Sequence, residues 1–237
     1  MLRTLFWFIY FWIFLILVLP DLIKVRSLDR AHKIQEKDRA VDQIVKKWAR
    51  SLVNLTGSKV TVTGAENIPS QGSVVFISNH QGNFDIPILL GFIDKPKAFI
   101  AKKELKKMPF ISSWMRYMNC IFMDRSSARA GLKAIQEGIA VLRKGYSLVI
   151  FPEGTRSRGN QIGEFKPGSF KLALKAGVPI VPVTIKGSYN IMETNGWMIK
   201  PANVQVIISE PVSITNLSKE ETDRLPEKVK NIIASKL

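Results

Sequence analysis

The chain has 237 residues, a formal net charge of +16 and a pI of about 10.0, which fits one large α/β domain with an appended segment and a partner that carries phosphate. Charge alone does not choose among nucleic acid, anionic lipid and a soluble phosphorylated substrate. The single cysteine, Cys120, excludes an internal disulfide, and with only His32 and His80 beside it a zinc site is not expected.

From Thr4 to Leu19 every residue but Thr4 is apolar, with Phe6, Trp7, Phe8, Tyr10, Phe11, Trp12 and Phe14 crowded toward its start. As a helix this run measures roughly 24 Å against a hydrocarbon thickness of roughly 30 Å, so a spanning and a half-immersed segment both stay open. No small-x-small site follows in Leu17-Val18-Leu19-Pro20-Asp21, which argues against a cleaved signal peptide. Lys24, Arg26, Arg30 and Lys33 come next, and the positive-inside tendency puts the rest of the chain on the cytoplasmic side of the cell inner membrane.

Residues 28–53 read as a second helix, with Ile34, Val41, Ile44, Val45, Trp48 and Leu52 at helical spacing among seven Lys and Arg side chains. Such a basic amphipathic helix either lies on anionic headgroups or packs its stripe on the rest of the chain. The expected organisation is a two-helix membrane-attachment segment, 1–53, followed by a single domain, 54–237.

Past Lys59 strands and helices alternate. Strands are expected at 59–63, 73–78, 97–100, 117–123, 146–151, 178–185 and 204–208, and helices at 86–92, after Ser126 or Ser127 as far as Gly145, and at 169–176 closed by Gly177. Ser218-Lys219-Glu220-Glu221 is a capping box opening a helical tail that Pro226 interrupts or restarts. The fold class is therefore α/β, a layered sandwich with a largely buried mixed sheet flanked by helices.

Two strand ends carry chemistry. After the apolar strand that ends at Ser78 comes Asn79-His80-Gln81-Gly82-Asn83-Phe84-Asp85. On one continuous helix residues five apart do not face each other, but across a turn from strand to helix His80 and Asp85 can meet. Asp85 would then hold the Nδ1 proton of His80 and leave Nε2 as a general base. An ordinary histidine and an N-capping aspartate would show the same spacing. The second end is Phe151-Pro152-Glu153-Gly154-Thr155-Arg156-Ser157, where Gly154 admits a close ligand and Arg156 offers a bidentate phosphate clamp, with Arg125 in an equivalent place after Met123-Asp124. A plain surface turn with Glu153 paired to Arg156 is the alternative. No Gly-x-Ser-x-Gly elbow and no Walker-type loop occurs.

Taken in order, Asn79-His80-x4-Asp85, Ile121-Phe122-Met123-Asp124-Arg125, Phe151 to Ser157 and Val181-Pro182-Val183-Thr184-Ile185 resemble the four sequence blocks of the glycerolipid acyltransferase family, most closely its 1-acyl-sn-glycerol-3-phosphate (lysophosphatidic acid) branch, over roughly residues 60 to 210. The resemblance implies acyl transfer from acyl-CoA or acyl-carrier protein to the sn-2 hydroxyl of lysophosphatidate, with no cofactor and no metal. It implies His80 as base, Asp85 as its orienting partner, and Arg125, Glu153, Gly154, Thr155 and Arg156 as the acceptor site. Lys102 resembles a family lysine that assists with phosphate, and Pro182 shapes the site. Siblings acting on glycerol 3-phosphate or another lysophospholipid share this logic. A noncatalytic basic membrane protein is the reading from another class. Nucleic acid is not expected, because the aromatics gather in the N-terminal run rather than among the basic residues.

Overall fold

The computed structural model describes residues 1–124 and 127–237. In chain order the elements are α1 (Leu2–Leu17), α2 (Leu19–Arg30), α3 (Ile34–Leu55), β1 (Lys59–Thr63), β2 (Val75–Ser78), α4 (Asp85–Phe92), β3 (Lys97–Lys102), α5 (Ile111–Tyr117), β4 (Ile121–Met123), α6 (Ala128–Arg143), β5 (Ser147–Ile150), α7 (Lys171–Ala176), β6 (Ile180–Lys186), β7 (Asn203–Ile208) and α8 (Lys219–Ala234).

The strands form one mixed sheet in the order β1-β7-β6-β2-β5-β3-β4. From β6 to β4 neighbouring strands are parallel, and the antiparallel pairing of β6 with β7 turns β7 and β1 the other way. The C-terminal ends of β2, β3, β4, β5 and β6 therefore share one rim, the place where open α/β sheets bind ligands. Val75-Phe76-Ile77 and Leu148-Val149-Ile150 are apolar throughout because both faces of these central strands are covered. Phe76, Val149, Val181 and Val183 point into a core shared with α3 and α4, while Val75, Ile77, Leu148, Ile150 and Ile180 point into a second core with α6, α7 and α8. Burying one side chain such as Phe76 stabilises the fold by about 1.5–3 kcal/mol.

Helix α1 has two characters. Trp7, Phe14 and Leu15 are buried in the first core, and Trp7 Nε1 donates to Leu52 O on α3 at 2.8 Å. Leu2, Leu5, Phe6, Ile9, Ile13 and Ile16 are exposed. No single helix among the described residues is long and apolar enough to cross a membrane, although α1 and α2 together reach that length as a pair bent by 42°.

Several expected boundaries differ. The helix expected at 28–53 is divided, because α2 ends at Arg30 and α3 begins at Ile34; His32 adopts φ 55° and Lys33 N–H closes the turn on Leu28 O. The strand expected at 117–123 is only Ile121–Met123. Before it α5 is stopped by Asn119 in the left-handed region, with Cys120 N–H reaching back to Met115 O, an ending that asparagine tolerates. Helix α8 runs straight through Pro226, held by the buried Leu225, Val229 and Ile233. The strand expected from Ser73 starts at Val75, with Ser73 Oγ donating to Leu142 O instead.

Candidate active site

The turn between β2 and α4 wraps around the Asp85 carboxylate. Asp85 is fully buried, and its Oδ2 accepts from Gln81 N–H at 2.7 Å, Gly82 N–H at 2.9 Å and His80 Nδ1 at 2.7 Å. Two backbone donors on that oxygen fix it as an acceptor, so the shared proton sits on Nδ1, and Nε2 is the nitrogen that carries the lone pair in the neutral ring. The imidazole stacks on Phe151, with ring centroids 4.0 Å apart and planes 17° from parallel. The side chain of His80 stays 17% exposed, enough to meet a substrate hydroxyl.

Other strands hold this turn from outside. Asn79 forms a pair of 2.8 Å bonds with the main chain of Ile185 on β6. The Gln81 side-chain carbonyl accepts from Gly187 and Ser188 N–H, and the Ser188 hydroxyl donates to Asp85 Oδ1. From the loop after β5, Glu153 Oε1 accepts His80 N–H and Oε2 accepts Gly163 N–H, each at 2.8 Å. Burial pushes the Glu153 carboxyl above its ordinary range, against the two backbone N–H groups that lower it. Ser157 N–H and Arg158 N–H donate to His80 O and Gln81 O, which ties the two loops together edge to edge.

The remaining expected residues divide by position. Gly154 takes φ 72°, which a glycine tolerates, with Lys166 Nζ close above it. Thr155 is exposed on the same turn. Arg156 Nη1 donates to Asn83 Oδ1, so the guanidinium sits beside the turn that carries His80 and Asp85 and does not pair with Glu153. Lys102 is exposed at the end of β3 on the same rim, and its neighbour Lys103 pairs with Asp124 at 2.6 Å. Pro182 is buried within β6, opposite Ile77 of β2. Arg125 lies outside the described residues.

Four contributors went unnoticed in the sequence: Gln81, Ser188, Phe151 as a stacking partner, and Glu193, whose Oε1 accepts Asn83 N–H at 2.7 Å. Each acts on a residue 71 to 110 positions away, as the pairs His80–Phe151 and Asn83–Glu193 illustrate, so no local spacing announces it. The arrangement can take a proton from a hydroxyl at His80 Nε2 and hold an anion at the adjoining arginine.

Comparison with known proteins gives a consistent result. The family model described as Acyltransferase matches residues 59–186. A 1-acyl-sn-glycerol-3-phosphate acyltransferase of Borreliella burgdorferi is 36% identical over 183 residues, covering 77% of this chain and 73% of that protein. A probable 1-acyl-sn-glycerol-3-phosphate acyltransferase of Mycoplasma pneumoniae is 34% identical over 187 residues, covering 74% and 70%. The crystal structure of the 1-acyl-sn-glycerophosphate (LPA) acyltransferase PlsC from Thermotoga maritima superposes with a TM-score of 0.88 at 32% identity, covering 99% of this chain and 93% of that one.

Proposed function

The chain belongs to the Acyltransferase family, and from that premise we propose that it is a 1-acyl-sn-glycerol-3-phosphate acyltransferase, moving a fatty acyl chain from a thioester donor to the sn-2 hydroxyl of lysophosphatidate to give phosphatidate. The observation that carries the reading is the His80–Asp85 pair at the rim of the sheet, with Nδ1 bound to the carboxylate and the imidazole left partly exposed.

In this mechanism His80 Nε2 accepts the hydroxyl proton as the hydroxyl oxygen attacks the thioester carbonyl. The tetrahedral intermediate expels the thiolate, and the imidazolium returns its proton to the sulfur, leaving an ester and a free thiol. Asp85 orients the ring and stabilises its positive charge during the step. Glu153 braces the His80 main chain, and its oxygens are already occupied by backbone N–H groups, so the acceptor phosphate falls to Arg156, assisted by Lys102 and Arg125. Gly154 and Thr155 shape the turn that presents Arg156. No cofactor is needed, because the donor, acyl-CoA or acyl-carrier protein, arrives as an activated thioester.

The exposed apolar face of α1 supports attachment to the bilayer that holds acceptor and product, with α1 lying in the interface rather than crossing. The basic surface adds attraction to anionic headgroups, and we place the sheet on the cytoplasmic side of the inner membrane.

The test is turnover by purified protein with labelled acyl-CoA and acyl-carrier-protein donors, comparing lysophosphatidate with glycerol 3-phosphate and with a lysophospholipid lacking a free phosphate. Preferred turnover of either alternative acceptor would reassign the substrate, and no turnover of any would remove the reading.

A further inference from the structure

The segment between β6 and β7 links the catalytic turn to the surface of α1. After a single turn at Glu193–Asn195, Gly196 adopts φ 54° and Trp197 φ 74°. A left-handed backbone is disfavoured for a bulky side chain and persists where it serves a purpose. Its effect is to present the indole to solvent: Trp197 is 71% exposed and Met198 41%.

The next residue, Ile199, is buried, and its N–H donates to Thr4 Oγ1 at 2.9 Å. That bond fastens the loop to the first turn of α1, where Leu2, Leu5 and Phe6 are uncovered. Trp197 and Met198 are thus exposed directly before the residue that ties the loop to α1, and Lys200 is exposed directly after it. At its other end the same loop grips the site. Glu193 accepts Asn83 N–H, Asn83 Nδ2 reaches Met192 Sδ at 3.5 Å, and Asn83 holds Arg156.

We propose that residues 193–199 form a second bilayer-contacting element, with Trp197 seated at the headgroup boundary beside α1. This rests on the lipid-acceptor reading above and extends it. The occupant is the bilayer interface rather than a protein, because the loop is tied to α1, whose apolar face is exposed, because its most exposed apolar side chain is a ring suited to interfaces, and because a net charge of +16 favours anionic headgroups. Docking there sets Asn83, and through it Arg156, at the depth of an acceptor phosphate.

The experiment labels Trp197→Cys in the full chain with an environment-sensitive fluorophore and adds vesicles of phosphatidylcholine and phosphatidylglycerol carrying brominated chains. The label goes into a Cys120→Ala background, because Cys120 is partly exposed and would otherwise offer a second thiol. A label at Glu227→Cys on α8, across the sheet from α1, is the control. The expected result is a blue shift and quenching at 197 and neither at 227. Unlabelled Trp197→Asn, which suits the left-handed backbone, should bind vesicles about ten-fold more weakly, with turnover of a bilayer-embedded acceptor falling more than that of a short-chain, water-soluble one.

Protein that floats with the vesicles while the 197 label stays unquenched overturns the proposal and leaves the α1 attachment standing. An equal loss on both acceptors in Trp197→Asn also overturns it, because the loop would then serve only the fold. Quenching at 197 in a protein that acylates neither acceptor would sink the catalytic reading and support the contact.

Discussion

Ser188 donates its hydroxyl hydrogen to Oδ1 of Asp85, on the opposite side of the carboxylate from His80. The two residues are 103 positions apart, and the bond draws the end of β6 and the start of α4 into one unit. Removing that hydroxyl leaves a buried oxygen short of a donor. Ser188→Ala should therefore lower kcat by roughly ten- to a hundred-fold, the kinetic equivalent of losing a hydrogen bond to a carboxylate, while the acceptor KM changes little. Steady-state kinetics at saturating donor would read the split, and unchanged turnover would show that Ser188 is only packing.

His80→Ala should reduce turnover by roughly 10²- to 10⁴-fold with the fold intact, because the base is lost and no neighbour replaces it. Asp85→Asn keeps the shape but weakens the acceptor that orients the ring, and at least about 10² in rate should go with it. Turnover measured alongside near-ultraviolet circular dichroism separates these losses from unfolding, and a well-folded His80→Ala protein with ordinary activity would refute the assigned base.

Arg156→Lys keeps a charge but loses the planar fork that grips phosphate and reaches Asn83. The acceptor KM is expected to rise about ten-fold or more, with the donor KM nearly unchanged. Equal rises for both substrates would make Arg156 a structural tie rather than a phosphate ligand.

Far from the rim, burial of Lys97 pushes its ammonium down to about 7, with Asp42 opposing the shift and Lys46 adding to it. Its Nζ donates to Ile93 O at 2.9 Å. The folded state thus releases a proton that the unfolded chain keeps up to its ordinary value of 10.5, so stability should rise as pH increases from about 7. The slope from this group stays within about 1.4 kcal/mol per pH unit, and it is cleanest below about pH 8.5, before thiol ionisation in the unfolded chain enters. Denaturant midpoints across that range should climb for the natural chain and flatten for Lys97→Met; parallel curves would contradict the buried-lysine account.

Substituting Phe6, Ile9 and Ile13 together by serine alters only the uncovered face of α1 and leaves Trp7, Phe14 and Leu15 packed. Such a protein should keep its unfolding temperature and lose flotation with anionic vesicles. Retained flotation in high salt would place the attachment elsewhere.

What was legible in the sequence was whatever local chemistry encodes. The central strands announced themselves as short, doubly buried apolar runs, and the capping box at Ser218 and the glycine at 177 marked helix ends that the structure shares. Tyr117 to Met123 misled, because its aromatic and apolar residues have the composition of a strand, and the deciding feature is a left-handed Asn119 that ends a helix first. Pro226 misled in the opposite sense, since buried contacts on either side outweigh its missing donor. Within the site, the facing of His80 and Asp85 across a turn could be reasoned from five residues of spacing. The grip of Gln81 on Gly187 and of Glu153 on His80 depends on which strands neighbour β2, and the sheet order is a property of the whole chain.

The antiparallel β6–β7 pairing has one last consequence. It sends β7 and β1 away from the rim that carries His80, so the segment joining β6 to β7 leaves at that rim and must cover ground there before the chain turns back into the sheet. A sixth parallel strand would have demanded a crossover helix over one face, and the rim would have kept only short, tight loops. The reversal instead leaves some sixteen residues with no obligation to the sheet. It is in that stretch that relatives built on the same scaffold have room to vary what approaches His80 without disturbing the strands that hold it.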